Sequence, residues 1–478
     1  MEGPSDSEGK SLLPTAGGEA PGAGEKLRVY RWRWYILVVI TLLNISNGAL
    51  ASWFQPVADT AAEFYGVELS EMNWLSLAFL LTAVPLGFVA TWVLDVIGLR
   101  AGIIIGAWIQ AAGAGITAIS TLHDIPSSYR FAVVVAGQVV AAMAQPLLRQ
   151  SPAKVAAMWF ADDQRATANM IISMGSPIGS ILSNLVGPQV AKSGDRHSLQ
   201  LLVSLYTIVP CLTVLMATFG ICSSGPPSPP SISAAKGTQP FFPGLKMLCR
   251  DVQYWILMLT FGAGMGTFQT FVAVIEQVFC PRGYTDTFAG ICAALMVLLG
   301  MVGAGAAGRL VDRTKRFEEI IKLSAAIGTL ALIVFAVLSS YPGKEVPLAI
   351  SASVFGVTAF AMYPTALELS VEITYPVSAA TSSGLLIVCG NLQAIILTFL
   401  AKYIPPPLPP SQTVHAHCGK VVPRDFKGKP ALMMLIFAGW MTVASVTLLL
   451  GLKPVYKRLQ VERTENKSVN AEQPAPST

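Results

Sequence analysis

The chain is short of charge. Only 12% of its 478 residues are Asp, Glu, Lys or Arg, against about 25% in an average soluble domain. So few charges cannot clothe several soluble domains in polar surface, and 53% of the residues are hydrophobic. Such a composition belongs to an integral membrane protein. The net charge of +5 is spread along the chain, with no basic block of the kind that binds nucleic acid. The seven cysteines are odd in number and sit mostly in or beside apolar runs, so they imply no disulfide framework. The polar first thirty or so residues lack an apolar h-region, so no cleavable signal peptide is expected. Nor is there an HExxH motif, a Ser/His/Asp set or a carboxylate pair at membrane depth, which argues against an enzyme. No cofactor or metal site is expected.

What the chain has is apolar runs. Crossing a bilayer takes about 20 mostly apolar residues. Twelve such runs are centred near Ile40, Ala83, Ala111, Val140, Ser176 and Val209, then Gly262, Val297, Ala331, Val354, Ile387 and Gly439. The fold class is an all-α membrane protein of twelve transmembrane helices in two six-helix bundles. Its expected divisions are a disordered N-tail (1–33), an N-terminal bundle (34–222), a linker (223–251), a C-terminal bundle (252–452) and a C-tail (453–478). The linker contains "SSGPPSPPSISAAKGTQPFFPG", whose Pro, Ser and Gly cannot build a packed core. With the N-terminus inside, 22 of the 32 Lys and Arg fall on the inner face. Both tails and the linker are therefore expected to be cytoplasmic.

Two of the few charges recur. "TWVLDVIGLR" carries Asp95 and "GRLVDRTKR" carries Asp312, 217 positions apart (312 − 95), close to half the chain. Each follows the second span of its half. This is the internal duplication expected of a transporter built from two six-helix halves. The segments resemble the major facilitator superfamily's loop motif, G-x-x-x-D-R/K-x-G-R/K-R/K. The second keeps Gly308, Asp312, Arg313, Lys315 and Arg316. The first keeps Asp95, Gly98 and Arg100, but has Thr91 and Val96 where Gly and a basic residue are usual. The resemblance implies a gate of Asp95, Arg100, Asp312 and Arg313 on the cytoplasmic side, with Asp95 facing the start of the eleventh span, near Pro376 to Thr381. An aspartate there is favoured by a nearby cation and by a helix N-terminus.

Three longer strings are more particular: "EFYGVELSEMNWLSLAFLLTAVPLGFVATWVLDVIGLR", "GQVVAAMAQPLLRQSPAKVAAMWF" and "YPVSAATSSGLLIVCGN". They resemble solute carrier family 49, the feline leukaemia virus subgroup C receptor-related family, over roughly residues 34 to 455. The resemblance implies a carrier of choline- or ethanolamine-like cations or of haem, working as a monomer in the lipid bilayer. The family's choline-type site has a Trp on the first span, a Gln on the fourth, a Tyr on the seventh and a Gln on the eleventh. The matching positions here are Trp53, Gln145, Gln269 in place of Tyr, and Asn391 in place of Gln.

The residues themselves offer neutral amides at mid-depth: Asn44, Asn47, Gln138, Gln145, Asn169, Asn184, Gln269 and Asn391. With no ionic side chain expected at the centre, facilitated diffusion is favoured over proton symport. A neutral chamber also favours a small polar or cationic solute, and the Trp53 ring could serve a quaternary ammonium. A receptor or scaffold that no longer transports is the alternative. "GMVGAGAAG" and "MGSPIGSILSNLVGP" read as close-packing and bending segments. "HAHC" (His415 to Cys418) departs from standard zinc spacing and reads as solvated loop. "EGKSLL" (Glu8 to Leu13) fits an acidic dileucine signal, which would direct the protein to an endosomal or lysosomal membrane; without it the plasma membrane is the default location. The sequons at Asn44 and Asn466 fall in a span and in the inner tail, leaving no N-glycan expected.

Overall fold

The structure is a computed structural model that describes residues 28–122, 125–191, 196–235, 238–279, 284–404 and 430–472. The dileucine-like and HAHC segments lie outside the described residues. The described residues are helical throughout their regular structure. Among the described residues, twelve helices are long and apolar enough to cross a membrane. In the first half they are Trp32–Tyr65, Ala78–Ile97, Leu99–Ile119, Ser128–Trp159, Arg165–Val190 and His197–Gly220. In the second they are Val252–Ile275, Thr287–Thr314, Phe317–Leu338, Glu345–Thr374, Ala379–Ala401 and Leu432–Gly451. These are called the first to twelfth spans.

Each half has its own cores. In the first half Leu43, Ile103 and Phe160 pack into one, and Trp53, Tyr65 and Leu202 into another. In the second half one core holds Phe271, Phe335 and Phe437, the other Tyr254, Phe261 and Leu448. Each half also lends one alanine to the other: Ala380 is buried with the first half, Ala166 with the second. Large apolar side chains such as Val302, Leu330 and Val443 remain exposed, as lipid-facing positions should.

Breaks in the helices fall where sequence chemistry demands them. The first span changes pitch at Gln55–Val57, where Pro56 withholds a backbone N–H. The fifth divides into Arg165–Ser173 and Gly175–Val190, at the Gly/Pro stretch expected to bend. A Cβ on Gly175 would lie 2.9 Å from the Asn44 Cβ, so glycine is what lets the first and fifth spans cross there. The second span ends in a five-residue π turn, Val93–Ile97, and then Gly98 at φ 107°. Asp95 sits inside that turn.

The linker and C-tail are more ordered than their compositions suggest. Phe241–Arg250 is helical, as is Lys457–Glu472 beyond the last span. The N-terminal segment, the linker and the C-terminal helix share one end of the molecule, called here the tail face. There Arg28 N donates to Pro229 O, and Arg458 Nε donates to Ser233 Oγ.

Candidate functional site

The polar contacts between the halves gather at the tail face. On the eighth span, Asp312 accepts hydrogen bonds from the Ala166 amide (3.0 Å), the Thr167 amide (2.8 Å) and the Thr167 hydroxyl (2.5 Å). A carboxylate there completes the first turn of the fifth span, whose leading N–H groups have no partners within their own helix. The mirrored contact is made by Asp95, which accepts from Thr381 Oγ1 at 2.8 Å near the start of the eleventh span. Lys154 Nζ lies 3.5 Å from Asp95 and donates to Leu94 O at 2.5 Å. Thus each half's second span reaches across to the other half's fifth, and the stretch near Pro376 to Thr381 is where Asp95 lands.

The two arginines of the loop motifs do less. Arg100 is turned toward the end of the sixth span, donating to Ile221 O at 2.8 Å. Arg313 is exposed and makes no ion pair among the described residues. Lys315 takes the bridging position instead, 3.3 Å from Asp162 Oδ2 and donating to Asp162 O.

Between the clasps lies a buried ionic cluster that inspection of the spans did not reveal. Arg165, 1% exposed, lies 3.2 Å from Asp162, 3.9 Å from Glu372 and 3.5 Å from Glu462. Arg458 lies 3.7 Å from Glu368 and 4.0 Å from Glu372. Two linker serines finish it: Ser231 accepts from Arg165 (3.0 Å), and Ser233 donates to Glu462 (2.5 Å). Burial lowers the Arg458 pKa, and the like charge of Arg165 lowers it further. Glu368 and Glu372 belong to the tenth span, but Arg458 and Glu462 come from the tail helix, where sequence reading expected only a tail. The signal available was the pair Glu368 and Glu372, one turn apart in an apolar run and in need of cations.

Deeper in the molecule, a cavity opens between the halves. Its wall draws on the fourth, fifth, seventh, ninth, tenth and twelfth spans. Phe261, Phe268, Phe355, Phe360 and Tyr363 supply aromatic faces, and Met174, Met265 and Met362 supply sulfur. Beside it Met174, Ala304 and Phe360 form an apolar contact between the halves.

Of the four expected binding residues, Gln269 lines this cavity. Asn391 stands one hydrogen bond behind, accepting from Gln269 Nε2 at 3.5 Å. Gln145 is buried and is not among the lining residues. Trp53 is 1% exposed, packed against Phe54 and Tyr206, with Nε1 3.0 Å from the Gln138 carboxamide group. Its ring is spent on the interior of the first half and is not offered to a solute in this structure. Other mid-depth amides likewise join helices: Asn47 donates to Gln110 at 3.0 Å, and Asn169 to Pro364 O at 3.4 Å.

The expectation of a neutral chamber is overturned. Arg149 of the fourth span lines the cavity. It stands ten residues before Trp159, the end of its helix, roughly 15 Å inside at 1.5 Å per residue. Sequence reading missed it because "PLLRQSPAK" places it near a second cation and an apparent inner end. The helix in fact runs on unbroken through Pro146 and Pro152.

Comparison with known proteins agrees with this architecture. Residues 36–398 match the model of the Major Facilitator Superfamily. The proton:xylose symporter XylE has the same fold, at TM-score 0.67 and 15% identity, covering 90% of this chain and 98% of its own. FucP, solved in the outward conformation, aligns at TM-score 0.63 and 15% identity, over 87% of this chain and 99% of its own. In sequence, the zebrafish (Danio rerio) solute carrier family 49 member A3 is 38% identical over 93% of this chain and 92% of its own length. The cat (Felis catus) choline/ethanolamine transporter FLVCR1 is 27% identical over 81% and 71%. The family and fold are those of a multi-pass membrane transporter rather than an enzyme. The chain belongs to the Major Facilitator Superfamily and, within it, to solute carrier family 49.

Proposed function

We propose that the chain carries a small organic solute across a membrane by alternating access, with the cavity as its binding chamber. The observation that carries this reading is the pairing of one cavity with two mirrored clasps at a single end. In such an arrangement the halves can rock apart only when Asp95 and Asp312 release their partners. The distribution of Lys and Arg makes the tail face cytoplasmic, so the arrangement described corresponds to a carrier closed toward the cytoplasm. Asp95 and Asp312 then act as gate residues, with Lys154 and Lys315 in the cationic roles expected of Arg100 and Arg313. Transport is facilitative in this reading: Arg149 is permanently charged near neutral pH and so cannot shuttle a proton. The family's choline-like cations and haem are the starting candidates for the solute, and Gln269 with Asn391, which stand where the family has Tyr and Gln, are the polar contacts at the cavity.

The test has two arms. Untargeted metabolite comparison of cells with and without the protein should reveal a changed small-molecule pool; unchanged pools would instead favour a non-transporting scaffold. Alternation is read with Gly308→Cys plus Thr167→Cys, because a Cβ at 308 would lie 3.7 Å from the Thr167 Cα. Oxidation should stop uptake of that solute and reductant should restore it. Uptake that continues with the pair cross-linked would refute the gate.

A further inference from the structure

The cavity contains one side chain whose charge is not accounted for. Lys154, Arg165 and Arg458 each have a carboxylate within 4.0 Å. Arg149 has none among the described residues, and no Asp or Glu lines the cavity with it. Its neighbour on the cavity wall is Tyr363, whose hydroxyl lies within reach of its field. A guanidinium held inside a membrane span without a counter-ion is costly, and a site that keeps one is prepared for an anion. The fork of N–H donors suits a carboxylate, phosphate or sulfonate, and the tyrosine hydroxyl offers one donor more.

The rest of the wall bounds the ligand. Phe261, Phe268, Phe355 and Phe360, with Met174 and Met265, present aromatic faces and polarizable sulfur that favour an apolar body of aromatic size. One guanidinium matches one anionic group. Gln269 adds a neutral amide for a further polar substituent.

We propose that the cavity binds a monoanionic organic acid with an apolar body, its anionic group held by Arg149 and Tyr363. This deepens the transport reading and rests on the cavity being the solute chamber. A quaternary ammonium would meet the fixed positive charge of Arg149 with no carboxylate in the wall to offset it.

The experiment uses the purified full chain and three probes of similar size: phenylbutyrate, its amide, and phenyltrimethylammonium. Thermal stability is followed as each is titrated. Phenylbutyrate should stabilise the protein and the other two should not. Arg149→Gln should raise the half-saturating concentration by about tenfold to a hundredfold, the range for hydrogen bonds to a charged group. Arg149→Lys should retain part of the response, having charge without the fork. In the absence of probe, Arg149→Gln should melt no lower than the parent, because an unpaired charge has been removed; a purely structural arginine would give a lower melting temperature. Equal responses to acid and amide, stabilisation by the ammonium alone, or no response at all would overturn the proposal. Proteoliposome uptake separates it from the transport reading. Acid that binds but never crosses leaves the site and removes the carrier; ammonium that crosses while acid fails to bind leaves the carrier and removes the anion site.

Discussion

Asp312 holds the opening turn of a helix in the opposite half, bonding both the amide and the hydroxyl of Thr167. Asp95 repeats the relationship with Thr381, but with one such bond and a lysine at 3.5 Å. The two clasps are alike in design and unequal in number of bonds. Asp312→Asn should therefore loosen the tail face more than Asp95→Asn. Hydrogen bonds to a charged group contribute about 1.5–3 kcal/mol, so deuterium exchange at the start of the fifth span should rise at least about tenfold in Asp312→Asn. Unchanged protection there would mean that this helix start is secured by its own half.

Arg165 is the hub of the ionic cluster, and removing it strands buried carboxylates. Loss of one member of a buried ion pair costs about 3–5 kcal/mol. Arg165→Ala should lower thermal stability by that order, while Arg165→Met combined with Glu372→Leu should recover much of it. A double variant as unstable as the single one would show that packing, rather than stranded charge, is what Arg165 supplies.

The tail helix contributes Arg458 and Glu462 to the same cluster. Ending the chain after Tyr456 removes a cation from beside Glu368 and Glu372 and frees Ser233 from its two partners on the tail helix. Exchange in linker residues 224–235 should then increase, while the outer half of the fifth span, Gly175–Val190, keeps its protection. Linker protection that survives truncation would make the tail helix a passenger.

Trp53 and Gln269 separate stability from recognition. Trp53→Ala empties a buried aromatic cluster and should cost about 3–5 kcal/mol, measured by thermal or denaturant unfolding of the purified protein. Gln269→Ala, at the cavity wall, should leave stability nearly unchanged and shift the half-saturation of whichever solute is moved. A stable Trp53→Ala protein with altered solute affinity would return that ring to the binding site.

How much of this could be read in advance follows from what each feature needs. The twelve spans, their grouping by sixes and the duplicated aspartates depend on local hydropathy and spacing, which a linear chain displays directly. Asp95 could even be assigned its landing place, because a family motif carried the three-dimensional information. The direction each helix turns was hidden, because a span that is apolar almost all round shows little periodicity to mark its cavity side. Trp53 thus looked available and is sealed, while Arg149 looked peripheral and lines the chamber. The Arg165 cluster was hidden for another reason: it joins residues from the fifth and tenth spans, the linker and the tail, up to 300 positions apart (462 − 162). A low-charge sequence determines that its rare charges must find partners or pay for burial. Only the tertiary structure decides which ones do, since pairing in a low-dielectric interior depends on a few ångströms of approach between segments that sequence order keeps far apart.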